Sequence, residues 1–495
     1  MKNVLGLDIG TTAVKATVFR ADDGTLLGSG LAEYTLETPR PDIVELDAEV
    51  YWTSAVNAIR QAVGNAACDP QSIAALSVTG QVETLIFLDS DGNSVRKAIV
   101  WLDNRAKDEA KELEAAFGAD ELFHLSGQTE CMPCWPAPKI LWLRKNEPEN
   151  FRRTAKIMMV EDFILYRLSG TFATCRGLLP STLWYDIRTG DYDGRVLSFL
   201  GISRDQLPAL HDPGEILGRA AENGSPVVPG TLIAAAPLDH VCGCLGVGCT
   251  EPGIISETTG CTMALCAPFD RPVYDEQRRI STYHGFTPKS FVLLPWAPTA
   301  GMLLKHFRDE FCPGMSYADF DRAAASVPPG SEGLLLLPHC AGAVSPVCNP
   351  QARGAAYGIT LAHKRGHWAR AIMESVAYLL RDNAETLKDC TGLELREIRA
   401  LGGASRSRLW LQIMADVMGV PISVTTCSEA TGLGAAMLAA VAADFYAAPA
   451  EAAKAMVRMR ETVTPDARNT KLYSGFYGAY RSLNKLLMPT FGGNL

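Results

Sequence analysis

"VLGLDIGTTAVKATVF" (Val4–Phe19) decides how the chain begins. An apolar run ends at Gly10, a Thr-Thr turn follows, and the next eight residues alternate. That pattern predicts strand, tight turn, strand. The first strand delivers Asp8 to its C-terminal end. Gly10 permits the turn, and Thr11 and Thr12 supply hydroxyls and backbone N–H groups. Such a turn forms a concavity for phosphate oxygens, and Asp8 beside it suits a divalent cation, held directly or through water. A ligand-free polar hairpin has the same local pattern.

Working outward, "TLLGSGLAEYTL" follows the turn Asp22–Gly24 as a third strand. "DAEVYWTSAVNAIRQAVGNA" is a helix capped by Asp47, with Val50, Ala55, Ile59 and Val63 in helical period. A buried strand, "SIAALSVTG", and a hairpin-like "TLIFLDSDGNSV" come next. This is an α/β layout opening on an antiparallel meander.

A similar order restarts near residue 253. "GIISETTGCTMALCA" predicts two strands about the turn Thr259–Gly260. The helix "HWARAIMESVAYLLRDNAETLKD", the strand "EIRALGGAS", the helix "SRLWLQIMADVMG" and the strand "PISVTT" follow. "TGLGAAMLAAVAA" reads as the final helix, in an Ala-rich stretch (Thr431–Ala453) that is mostly helical. Two halves of related design are expected, residues 1–247 and 248–495, with a cleft between them. Two Thr-bearing turns facing across that cleft could clamp a polyphosphate. Gly402–Gly403, between a strand and a helix start near Ser405–Arg408, offers close backbone approach and a helix N-terminus. Neither the dinucleotide fingerprint nor a Lys-bearing phosphate loop is present.

The totals fit this reading. The chain has 495 residues, too many for one ordinary core. Its formal charge of −9 argues against nucleic-acid partners, while a few local donors suffice for a small anionic ligand. Fourteen cysteines, with no recognisable secretory h-region in "MKNVLGLDIGTTAVK", are expected to be reduced thiols in the cytoplasm. No run of 18 apolar residues suggests a membrane span.

"APLDHVCGCLGVG" (Ala236–Gly248) gathers Asp239, His240, Cys242 and Cys244. Cys-x-Cys without a second pair is a poor zinc pattern. "CMPC" (Cys131–Cys134) has a redox spacing but lacks the strand-then-helix context. Asp239 is the residue there with chemistry to offer.

Taken together, the chain resembles the FGGY family of carbohydrate kinases along nearly its whole length. "GLDIGTTAVK" is similar to that family's first phosphate loop, and "CWPAPKILWLRKN" (Cys134–Asn146), with Lys139 and Trp142, to its first signature. "GAAYGITLAHKRGHWARAIMES" (Gly354–Ser375) resembles the second, departing at Ala356 and Trp368. "GGASRSRLWLQIMADVMGVPI" resembles the adenosine-binding segment, and "EATGLGAA" the helix start after it.

The resemblance implies two actin-like (ribonuclease H-like) ATPase domains of α/β class with an interdomain cleft. It implies ATP and Mg2+ as cofactors, and phosphoryl transfer to a hydroxyl of a sugar or polyol. Asp239 matches the catalytic base, an acceptor for the hydroxyl proton. Asp8 is expected to hold the metal. Gly10, Thr11, Thr12, Lys15, Thr259, Gly260, Gly301, Lys305, Gly402, Gly403 and Ser407 are expected to bind the nucleotide. Gln81, Val82, Glu83, Trp101, Asp103, Asp239 and His240 are expected to face the sugar. Xylulose kinases carry Met-His where Val82 and Glu83 stand, and glycerol kinases carry Gln-Arg-Glu-Thr where this chain has Gln81-Val82-Glu83-Thr84. Asp103 leans back to ketose kinases. A ketopentose such as xylulose is the expected substrate, with glycerol or a tetritol as the alternative. A homodimer without nucleic-acid or membrane partners is the assembly carried forward. The rivals are a non-catalytic ATP-binding scaffold of the same fold and a sugar-binding regulator that has lost catalysis.

Overall fold

The computed structural model describes residues 2–492. Two large twisted sheets form the body of the molecule, and their strands are labelled in chain order. The first contains β1 (Asn3–Ile9), β2 (Ala13–Arg20), β3 (Leu26–Glu33), β4 (Ile73–Gly80), β5 (Ile216–Arg219) and β6 (Leu232–Ala235). Its order is β5-β6-β4-β1-β2-β3. The second contains β7 (Ile254–Thr259), β8 (Met263–Phe269), β9 (Ser281–His284), β10 (Phe291–Leu294), β11 (Glu397–Leu401), β12 (Ile422–Thr425) and β13 (Met459–Val463). Its order is β9-β10-β8-β7-β11-β12-β13, with Trp296–Ala297 pairing beside β8.

The halves repeat one topology. β1 pairs antiparallel with β2 and parallel with β4. β7 pairs antiparallel with β8 and parallel with β11. Outward from these, β2–β3 and β8–β10 are antiparallel, β4–β6 and β11–β12 parallel, and β6–β5 and β12–β13 antiparallel. The parallel pairs in each half require crossovers, which helices supply. A smaller five-stranded sheet (Glu37–Arg40, Ile43–Leu46, Leu85–Leu88, Ala98–Ile99 and Lys156–Met159) sits on the first half.

The helices that matter below are α1 (Ala48–Ala66), α2 (Pro136–Asn146), α3 (Val160–Ser169), α4 (Asp239–Gly246), α5 (Gly301–Phe311), α6 (Tyr317–Ala325), α7 (Arg365–Thr391), α8 (Arg408–Met418), α9 (Ala430–Ala442), α10 (Pro449–Met456) and α11 (Ala467–Leu487). α1 starts where expected: the Asp47 side chain accepts from the Glu49 N–H at 2.9 Å. Its buried face, including Tyr51, Ala55, Ala58 and Ile59, lies on β3. Gly30 of β3 is required there, because a Cβ would fall 2.1 Å from the Ala58 carbonyl oxygen.

Two expectations are corrected. α9 is not the last helix, because α10 and α11 follow it. Nor does α9 pack with the half that encodes it. Leu433, Met437 and Leu438 are buried in the first hydrophobic core, together with Met456 of α10. The contact is backbone to backbone. A Cβ on Gly6 of β1 would lie 2.0 Å from the Gly432 oxygen, and one on Gly434 would lie 1.8 Å from the Cys242 oxygen. Such a crossing admits only small side chains. The second core gathers Ile255, Leu265, Ile372, Met373, Trp410 and Met414.

Candidate active site

Asp8 closes β1, in register with Lys15 of β2 and Thr79 of β4. β4 and β6 are stapled beside it: Ser77 Oγ donates to the Ala234 oxygen at 3.0 Å and Thr79 Oγ1 to the Pro237 oxygen at 2.7 Å. These bonds hold the chain that enters α4, and Asp239 is its first residue. The His240 N–H donates to Asp239 Oδ1 at 2.6 Å. Asp8, Lys15, Asp239 and His240 face Thr258, Gly402, Gly403 and Arg406 across a cavity of ≈ 360 Å³. The two halves of the repeat therefore meet at a pair of carboxylates.

Burial pushes the Asp8 carboxyl up to about 7, the nearby Asp239 charge adding to the rise and Lys15 opposing it. Lys15 in turn pairs with Glu429 at 2.7 Å. Asp8 Oδ1 is buried without a hydrogen-bond partner. An orphaned carboxylate oxygen beside a second carboxylate fits a divalent cation, which would supply the missing bond and offset both charges.

A second cavity of ≈ 390 Å³ is lined by Thr259, Gly260, Gly301, Lys305, Ser407 and Trp410, and it shares Gly403 and Arg406 with the first. Glycines make the junction possible. At Gly301 a Cβ would meet the Gly260 oxygen at 2.4 Å, and at Gly402 (φ 75°) it would meet the Thr259 oxygen at 2.6 Å. Ser407 caps α8, its hydroxyl accepting from the Trp410 N–H at 3.1 Å. Lys305 lies at the exposed rim and pairs with Asp309 at 2.6 Å.

The first turn lies outside both cavities. The Gly10 oxygen accepts from the Tyr34 hydroxyl, Thr12 is exposed, and Thr11 Oγ1 accepts from the Trp101 indole at 3.0 Å. Trp101 thus ties this turn to the segment expected to bind sugar.

That segment is strained and buried. Val82 and Glu83 have φ of 24° and 57°, rare for non-glycine residues. Two bonds hold them there. The Val82 N–H donates to Glu161 of α3 at 2.9 Å, and Lys139 of α2 donates to the oxygens of Glu83 and Val100 at 3.1 and 2.9 Å. Glu83 rises to about 7 and Glu161 to about 8, burial being the main cause and Asp239 contributing to each. Gln81 Nε2 reaches the Tyr51 hydroxyl at 3.4 Å, while Gln81 Oε1, Glu161 Oε2 and Ser181 Oγ are buried without partners. Acceptors waiting for donors are what a polyol meets.

Asp103 is a correction. It is fully buried, accepts from the Val44 N–H at 2.6 Å, and takes a bidentate pair from Arg105 at 2.8 and 2.7 Å. Both oxygens are engaged inside the fold, so it serves the architecture of the loop.

Half of the fourteen cysteines are buried, while Cys261 and Cys340 are exposed. Cys242 and Cys244 of α4 are fully buried; Cys242 Sγ donates to the Pro237 oxygen and Cys244 Sγ to the Cys249 and Cys266 oxygens. All fourteen are free. Burial pushes the Cys131 and Cys134 thiols up to about 12, which leaves them unreactive. Among the described residues no group of three or more His, Cys, Asp or Glu could hold a metal by itself. The sequence reading missed Glu161, Thr258, Glu429 and Arg406. Arg406 lines both cavities and makes no salt bridge among the described residues. Its only sequence signal was a cation just after a double glycine.

A duplicated actin-like fold, with paired carboxylates where its halves meet, defines a two-domain phosphotransferase. Residues 3–246 match the N-terminal domain of the FGGY family of carbohydrate kinases, and residues 258–443 match its C-terminal domain. The chain belongs to that family. It is 26% identical over 488 residues to a xylulose kinase of Bacillus subtilis, covering 98% of this chain and 97% of the relative. It is 30% identical over 462 residues to a glycerol kinase of Deinococcus radiodurans, covering 90% and 89%. Its fold matches a gluconate kinase from Lactobacillus acidophilus with TM-score 0.91, 24% identity and 99% coverage of both chains. The protein is a carbohydrate kinase that transfers a phosphoryl group from ATP to an alcohol group of a small sugar or polyol. No helix among the described residues is long and apolar enough to cross a membrane.

Proposed function

We propose that the acceptor is a ketopentose such as xylulose, with Asp239 taking the proton from the attacking hydroxyl. The observation that carries the substrate class is the crowding of carboxyls. Beyond burial, the Asp239 charge contributes to raising Asp8, Glu83 and Glu161 alike. The buried cation beside them, Lys139, bonds to two backbone carbonyls. Such a site favours a neutral, donor-rich ligand and disfavours a sugar acid. Val82, buried where glycerol kinases carry arginine, favours a ketose over glycerol. Full-length similarity to xylulose kinases supports the same choice.

In this reading Thr259 and Gly260, with Lys15 of the neighbouring cavity, take the phosphates, and Gly403 and Ser407 stand by the adenosine. Magnesium, held through Asp8 and phosphate oxygens, would neutralise phosphate charge. Asp239, positioned by the β4–β6 staples, accepts the proton, and the carboxyls about Glu83 orient the hydroxyls. Fourteen free thiols suit a reducing compartment such as the cytoplasm.

The test is sugar-dependent ADP release with ketopentoses, glycerol, tetritols and gluconate. Turnover is expected to be highest on a ketopentose. Asp239→Asn should cost about 10²–10⁴-fold in kcat while ATP binding is retained. Activity on glycerol alone would overturn the substrate, and wild-type turnover in Asp239→Asn would overturn the base.

A further inference from the structure

We infer that Glu429 is a positioning residue for the metal site: it draws the Lys15 ammonium away from Asp8, so that the Asp8 carboxylate stays open to a divalent cation. The inference rests on the reading that Asp8 holds magnesium and Lys15 meets phosphate.

Lys15 of β2 lies directly opposite Asp8 of β1 in the antiparallel register. Residues of unlike charge in that relation ordinarily pair across the strands. Here they do not. Lys15 Nζ pairs with Glu429 Oε2 at 2.7 Å, and no salt bridge joins Lys15 to Asp8 or Asp239 among the described residues. Asp8, Lys15, Asp239 and Glu429 all line one cavity. Both members of the pair act on Asp8: burial and then Asp239 raise its carboxyl, Lys15 lowers it, and Glu429 raises it. The lysine thus stands among three carboxylates, and Glu429 takes it.

Backbone packing fixes that choice. Glu429 immediately precedes α9, whose first turn is wedged against both elements that carry the other two carboxylates. A Cβ on Gly6 of β1 would lie 2.0 Å from the Gly432 oxygen, and one on Gly246 of α4 would lie 1.8 Å from the Ala430 oxygen. The Glu429 side chain makes no capping bond to α9. Its Oε1 accepts from Ser428 Oγ at 3.4 Å, and its Oε2 is left for Lys15. Nor does the pair fasten the fold. Its side chains are 40% and 21% exposed, and an ion pair so open to water adds little to stability.

Without Glu429, the carboxylate across the strands is Asp8. A Lys15–Asp8 pair would place an ammonium on the group that the cation needs, and the two would compete for it. It would also withdraw Lys15 from the phosphates. Glu429 prevents both by holding the ammonium in the cavity on a partner that is not a metal ligand.

The test is calorimetry on the full chain without sugar, using a non-hydrolysable ATP analogue in saturating magnesium and again in chelator. The ratio of the two dissociation constants measures how far the metal strengthens nucleotide binding. In the wild type the ratio should be about a hundredfold. In Glu429→Gln it should fall to about tenfold, while binding in chelator stays within about threefold of wild type. In a Lys15→Met background the ratio should not respond to Glu429→Gln, because no ammonium remains to be misplaced. The urea midpoint of Glu429→Gln should match the wild type, which separates positioning from a loss of structure. An unchanged ratio in Glu429→Gln, the same fall in the Lys15→Met background, or a clearly lower urea midpoint would overturn the role of Glu429. If magnesium leaves wild-type binding unchanged, the metal reading falls and the positioning role falls with it.

Discussion

Lys139 shows what one side chain does at this site. Its ammonium is fully buried, and burial lowers it to about 8. It bonds to two carbonyls, one of them in the strained Val82–Glu83 turn. Lys139→Met leaves those carbonyls unpaired, which should cost about 1–3 kcal/mol in denaturant unfolding. The loosened turn should raise KM for sugar and leave KM for ATP near wild type. Unchanged sugar KM would mean that Glu161 alone holds the turn. At this scale the sequence was legible where chemistry sits next to geometry: Asp8 at a strand end, Asp239 before a run of small residues. It misled at Asp103, whose oxygens are engaged by Arg105 two residues later and by Val44, a partner fifty-nine positions away. It was silent on Glu161, which reaches the site only because α3 lies against the Val82 turn.

Among the elements, α9 and α1 make a controlled contrast. Gly434 of α9 touches α4 so closely that a Cβ would stand 1.8 Å from the Cys242 oxygen, whereas a Cβ on Gly64 of α1 meets nothing within 4 Å. Gly434→Ala should therefore destabilise the protein by about 1–3 kcal/mol or more, since backbone must move. Gly64→Ala should stabilise it by about 0.5–1 kcal/mol through helix propensity. Urea midpoints compare the two directly, and equal effects would refute the close-crossing argument. The same crossing explains Gly246 of α4, where a Cβ would lie 1.8 Å from the Ala430 oxygen. Periodicity identified α1 and Ala-rich composition α9, but neither says which sheet an all-round apolar helix such as α9 will cover.

The whole molecule does not divide where its sequence does. α9 and α10, encoded in the second half, complete the first core. Residues 1–247 expressed alone should therefore lack cover for β1 and α4, and should remain aggregated or molten, with weak near-ultraviolet dichroism. A cooperative, soluble 1–247 fragment would contradict this. The sequence by itself determined the duplicated strand–turn–strand pattern, the α/β class, the glycine-bearing turns and the placing of Asp8 near a strand end. Those follow from local periodicity, turn geometry and residue type. Tertiary structure alone decided that α9 joins the opposite core, that Asp103 turns inward, and that Glu161 holds the Val82 turn. These depend on packing and desolvation among residues far apart in the chain, which no local pattern encodes.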